Sequence, residues 1–193
     1  MRETPLAVSI AILVALALSL PGCGKEEAKD RPPAAAPAGE PAASAAAPRA
    51  GNAAAFAEAL PTSLNGLTGA SGGLCSLDSI NSVLATEDNP VTRGGTVLFS
   101  GWAVDDKLGA VPVELTIRLS SLDGTHNYYA STTSRGQRPD VAQAHNNPAY
   151  ELSGFELVAS LDSLPAGDYW VSMLQASSAN VLTCETKRKV SLQ

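Results

Sequence analysis

The sequence predicts an all-β protein. The expected fold is an antiparallel β-sandwich of about seven strands, formed by residues 74–193 and preceded by a disordered tether. Three observations carry this. Apolar and polar residues alternate over several runs after Leu74, which is the period of half-buried strands. Turn signals separate the runs at Asp88-Asn89-Pro90, Arg93-Gly94-Gly95, Asp123-Gly124 and Pro165-Ala166-Gly167-Asp168. No strong helical period competes with them. Short strands at this spacing read as a sandwich.

The elements follow in order. Cys75–Leu84 supplies the first strand and Val97–Val104 the second. In Val111–Leu119 every odd position is apolar. Tyr128–Thr133 is a weaker strand. Ser134–Asn147 breaks the alternation and reads as a long loop with a helical turn near Asp140–His145, where Pro139 supplies a helix-compatible φ. Phe155, Leu157, Ala159 and Leu161 mark the next strand, and Tyr169–Ala176 and Val181–Val190 the last two. Trp102 is expected in the core beside Leu98 and Val104. Tyr169, Val171 and Met173 share one face, which puts Trp170 on the other.

The N-terminus has a different texture. Arg2 precedes an apolar run from Leu6 to Leu20 that is shorter than the roughly 20 residues of a membrane span. The run closes on Leu20-Pro21-Gly22-Cys23. A charged start, an apolar middle and a small-residue end make a secretory signal. Ending on Cys, this one resembles the lipobox of bacterial lipoproteins. The resemblance implies that residues 1–22 are removed and that Cys23 is lipidated. Gly24 after the Cys implies the outer membrane by resemblance to enterobacterial sorting. Residues 23–73 then read as a lipidated linker. Pro32–Ala50 is almost all Ala and Pro, too poor in large apolar side chains to repay ordering. Ala53–Leu60 is a candidate short helix, and Thr62–Gly73 is expected to be loose.

Composition limits the chemistry. Net charge is −6 and the pI about 4.8. With no basic block to neutralise phosphates, nucleic acid is not an expected partner. Lys187-Arg188-Lys189 is the one basic cluster and reads as the solvated end of a terminal strand. With Cys23 assigned to lipid, Cys75 and Cys184 remain as an even pair in an exported chain and are expected to form a disulfide. A metal pair lacks the close ligand spacing of zinc sites.

A second resemblance spans nearly the whole folded part. Ser100-Gly101-Trp102-Ala103-Val104-Asp105, Arg138-Pro139-Asp140-Val141-Ala142, Ser153-Gly154-Phe155 and Leu164-Pro165-Ala166-Gly167-Asp168-Tyr169 occur in that order. The set is similar to immunoglobulin-like β-sandwich domains of bacterial exported and envelope proteins. It implies the fold and an accessory role, and it carries over no catalytic residues.

No catalytic motif is found. Gly-x-Ser-x-Gly and His-Glu-x-x-His are absent, and the only histidines are His126 and His145. Asp105-Asp106 is a possible oxygen-ligand pair for Ca²⁺ but lacks a Ca²⁺-loop pattern, so a solvated turn is the expected role. No metal and no cofactor are expected.

Candidate binding residues are Trp170, Tyr128, Tyr129, Arg135 and Gln137. Trp170 is expected under the tether or an edge loop. If exposed near Tyr128 or Tyr129, it would form a flat aromatic platform suited to sugar rings or protein anchors. The Ser134–Asn147 loop, with Arg135, Gln137, Arg138 and His145, reads as recognition surface or as a structural crossover tied by Arg138 and Asp140.

The function these readings imply is a membrane-anchored envelope lipoprotein presenting a non-catalytic interaction module to an envelope protein or glycan. The alternatives are a glycan-binding module using exposed aromatics and an inhibitor- or immunity-type lipoprotein.

Overall fold

The computed structural model describes residues 53–193. The expected leader, the expected lipidation site Cys23 and the expected linker up to residue 52 lie outside the described residues. The chain is an all-β sandwich. Its strands are β1 (Ala54–Ala55), β2 (Thr68–Ser71), β3 (Leu74–Ile80), β4 (Val83–Leu84), β5 (Asp88–Val91) and β6 (Thr96–Val104). They continue with β7 (Leu115–Ser121), β8 (Asn127–Thr132), β9 (Gly154–Ser160), β10 (Gly167–Ser177) and β11 (Asn180–Leu192). A helix, α1 (Pro139–Ala144), lies between β8 and β9.

The seven longest of these strands coincide with the seven expected from alternation. One sheet has the order β1-β9-β6-β3-β4 and the other β2-β11-β10-β7-β8, with β5 also on β11. Without the short additions, β9-β6-β3 faces β11-β10-β7-β8. That is the immunoglobulin-like arrangement, with β8 extending the second sheet. Tyr169 lies near the start of β10, and its hydroxyl donates to the Pro165 carbonyl at 2.8 Å, the tyrosine corner of such sandwiches.

The odd positions of β7 and β9 fill the core. Leu115, Ile117, Leu119, Phe155, Leu157 and Ala159 are all buried. Two glycines in the resembling motifs are fixed by close approaches. A Cβ on Gly101 would lie 2.1 Å from the Ser76 carbonyl oxygen, and one on Gly154 would lie 2.9 Å from that of Gly136. Side-chain cross-links join the sheets. A disulfide ties Cys75 on β3 to Cys184 on β11, 109 residues apart, and the Gln175 amide donates to the Val104 carbonyl at 3.0 Å.

Several expectations are corrected. The sheets are mixed, because β1 pairs parallel to β9, and β2 and β5 pair parallel to β11. Ala53–Leu60 is a strap rather than a helix. Ala54–Ala55 adds to β9, and Ala57 exchanges backbone bonds of 3.1 and 2.8 Å with Tyr129 of β8. Phe56, 2 % exposed, sits edge-on to Phe99 at 6.3 Å. Burying that ring outweighs the helix propensity of the alanines around it, since so short a helix has little stability of its own.

Thr62–Gly73 is also ordered: a 3-10 turn at Thr62–Leu64 buries Leu64 against Leu174 and Val181, and β2 follows. The strand expected from Val111 starts only at Leu115. Pro112 precedes it, and Val113 is 88 % exposed. Asp88-Asn89-Pro90 is edge strand β5 rather than a turn. Its Asn89 side chain donates to the carbonyls of Thr86 and Lys189, both at 2.8 Å. Trp102 leaves the main core to Gly101 and Ala103. It packs on the outward face with Val104, Val141 and Tyr150, beneath α1.

Candidate functional site

The candidate site is built on the outward face of β10 and β11, where their pairing is interrupted. Val171 pairs with Arg188, but Ser172 pairs with Glu185, so Thr186 and Lys187 are extra residues on β11. This bulge is held in place. The Thr186 hydroxyl donates to the Val171 carbonyl at 2.6 Å and accepts from the Arg188 amide at 3.2 Å. Lys187 has φ +57°, a left-handed conformation that disfavours a residue with a Cβ. Bulges of this kind re-aim side chains and recur beside functional sites.

Next to the bulge, Trp170 is 43 % exposed. Among the described residues no edge loop covers it, and the tether before residue 53 lies outside the described residues. The strap and the 3-10 turn cover Tyr129, Leu174 and Val181 instead. Lys189, the Cα partner of Trp170, holds its ammonium 5.6 Å from the indole centroid, within cation–π range. The same ammonium is 2.5 Å from Asp88 of β5, whose hydrogen bond raises the Lys189 pKa. On the other flank, Arg118 donates to Glu185 at 3.0 Å and to the Ser172 hydroxyl at 2.8 Å. Together Glu87, Asp88, Trp170, Glu185, Lys187 and Lys189 line an open cleft of about 550 Å³. Lys187 and Lys189 of the basic cluster therefore line this cleft, while Arg188 between them does not.

The other predicted residues are not brought together with Trp170. Tyr128 is 6 % exposed on the core face, edge-on to Tyr169 at 5.9 Å. Tyr129 faces outward but packs against the Leu64 cluster, with β7 between it and β10. No aromatic platform forms. In the long loop, Arg135 turns inward and donates to the carbonyls of Pro112 and Ser134. Arg138 donates to Asp78 at 2.6 Å and to both oxygens of Asp140 at 2.9 and 2.7 Å. These bonds hold the Asp140 carboxyl at a pKa of about 2. Gln137 is exposed between the two arginines.

The two histidines have separate neighbours. His126 faces Glu58 of the strap at 3.4 Å and stacks on Tyr128. His145 packs on Trp102 and Tyr150. Asp106 lies on an exposed turn as expected, while Asp105, which precedes it, is 3 % exposed. The Asp105 Oδ1 accepts from the amides of Lys107 and Leu108, each at 3.0 Å, inside a hairpin closed by Ala110. Among the described residues no three His, Cys, Asp or Glu side chains cluster as metal ligands.

Lys187, Lys189, Glu185, Glu87 and Asp88 were missed as site residues. Two extra residues on β11 leave the period-two phase unchanged on either side, so alternation carries no trace of the bulge. Comparison with protein-family models, curated proteins and solved structures finds no match.

Proposed function

We propose that the chain is a membrane-anchored envelope lipoprotein whose sandwich is a non-catalytic binding module, with the Trp170 cleft as its ligand surface. Leu20-Pro21-Gly22-Cys23 at the end of the apolar run supports the anchor. A pair of stable lipid chains holds a protein at a membrane where a single chain does not. The observation that carries the binding half is the exposed Trp170 beside the Lys187 bulge. A large apolar side chain left open in a cleft, next to a residue held in a disfavoured conformation, is a pattern of function rather than of folding.

The rival surface has weaker support. An inhibitor-type lipoprotein needs a loop free to enter a partner. Arg135, Arg138 and Asn147 are each tied to neighbouring elements, which favours the crossover role for 134–147.

The test is a photoreactive amino acid placed at Ser120, the Cα partner of Trp170 on β7, and in parallel at Gln137, in the lipidated protein within its native envelope. Adducts at position 120 and none at 137 are expected. Adducts at 137 alone would transfer the site to the loop. Hydrolysis that disappears with His126→Ala or His145→Ala would overturn the non-enzymatic reading.

A further inference from the structure

We propose that the Trp170 cleft takes a neutral saccharide ring, an inference that rests on the cleft being the ligand surface. Charge and shape both lead to this class. The cleft has three carboxylates, on Glu87, Asp88 and Glu185. Against them stand the ammonium groups of Lys187 and Lys189 and the guanidinium bound to Glu185. With Asp168 also near Lys189, the charges come close to balance with a slight acidic excess, so the local field does not select a polyanion. Lys189 is paired with Asp88, and Arg118 with Glu185. Among the described residues, Lys187 and Glu87 form no ion pair, and they present one donor group and one acceptor group to a ligand.

The remaining feature is apolar and flat. The Lys189 ammonium takes one side of the indole, and the part of the ring left exposed offers its surface to the C–H face of a pyranose, as aromatic side chains do for amphipathic ligands. Around it, carboxylate oxygens accept from ring hydroxyls, while the Lys187 ammonium donates to ring or hydroxyl oxygens. A neutral polyol with one apolar face satisfies both. A peptide helix would need a long apolar groove, whereas Trp170 and Val171 are the apolar residues of this lining; an added strand would need a regular edge, and between the stretches of β11 paired with β2 and β5 the ladder is broken by the bulge at Thr186 and Lys187. The bulge has a direct role in this arrangement: it lifts Lys187 out of the ladder and toward the space beside Trp170. An open cleft of about 550 Å³ is large enough for one or two rings.

The experiment screens the folded protein on an array of neutral hexose and N-acetylhexosamine oligosaccharides. The strongest binder is then titrated by calorimetry and tryptophan fluorescence. Binding with a fluorescence change is expected, at least tenfold weaker in Trp170→Ala and several-fold weaker in Lys187→Gly. Both variants should keep the wild-type circular dichroism spectrum, and Trp102 should remain as the unresponsive emitter. Failure of every neutral sugar to bind would overturn the saccharide class, as would binding unaffected by Trp170→Ala. Preference for sulfated or uronic-acid polymers that weakens steeply with salt would overturn it too. If protein adducts still form at position 120 in the envelope while no sugar binds, only the ligand class fails. If no adduct forms there, the reading beneath it fails.

Discussion

Trp170 and Lys189 are Cα partners across β10 and β11, and the lysine ammonium stands 5.6 Å from the indole centroid while pairing with Asp88. One contact thus ties the exposed aromatic to the edge strand that borders its cleft. The neighbouring bulge departs from the regular ladder at Lys187, whose φ is +57°. An L-residue pays roughly 1 kcal/mol for that conformation, and glycine does not. Lys187→Gly is expected to raise stability by up to about 1 kcal/mol in denaturant unfolding while weakening ligand binding. A variant that is destabilised, or that binds as wild type does, would remove the bulge from the functional account.

The strap is part of the fold. Phe56 fills the core beside Phe99, and Ala57 bonds to Tyr129 on the opposite sheet. Phe56→Ala should cost about 3–5 kcal/mol, the range for a buried aromatic. A chain beginning at Leu74 should lose at least as much, measured by thermal unfolding. Equal melting temperatures for chains beginning at residues 53 and 74 would contradict this.

The Cys75–Cys184 disulfide closes most of the sandwich, linking β3 to β11 across the two sheets. Replacing both residues with Ser should cost about 2–5 kcal/mol. Non-reduced digests should give the linked peptide by mass spectrometry. Free thiols at both positions in exported protein would contradict the bridge.

Acid should loosen the crossover loop. Hydrogen bonds from Arg138 hold Asp140 at about 2, below the ordinary 3.8. A carboxylate with a depressed folded pKa contributes stability that is complete above its unfolded pKa and lost as pH falls toward the folded value. Melting temperature should therefore drop between pH 3.8 and about 2, and Asp140→Asn should flatten that drop. Asp123, held at about 2 by the Ser121 hydroxyl and by Thr125, titrates in the same window and sets the residual slope. Identical slopes in wild type and Asp140→Asn would show that the Arg138 contact does not stabilise the fold.

The strand set was legible because period-two alternation survives burial. Ile117 and Leu119 on β7, and Leu157 and Ala159 on β9, face the core as their spacing requires. Trp170 was placed on the correct face by the same argument. Its exposure was not legible, because cover depends on the path of residues 53–71, and they cross the sheet over Leu174 and Val181 instead. The strap itself reads as helix or linker in isolation, since only tertiary contacts of Phe56 and Leu64 order it. Trp102 was misplaced because alternation defines two faces without saying which is inward. Gly101 decides this through its close approach to Ser76.

The central claim is that this sandwich works from a lipid anchor at Cys23. Mass spectrometry of the mature N-terminus, on protein taken from the native envelope, tests it most directly. The account predicts a chain that begins at Cys23 and carries acyl chains, with Cys23→Ala abolishing fatty-acid labelling and releasing the protein from membranes. A mature chain that begins elsewhere, or labelling that persists unchanged in Cys23→Ala, would contradict it.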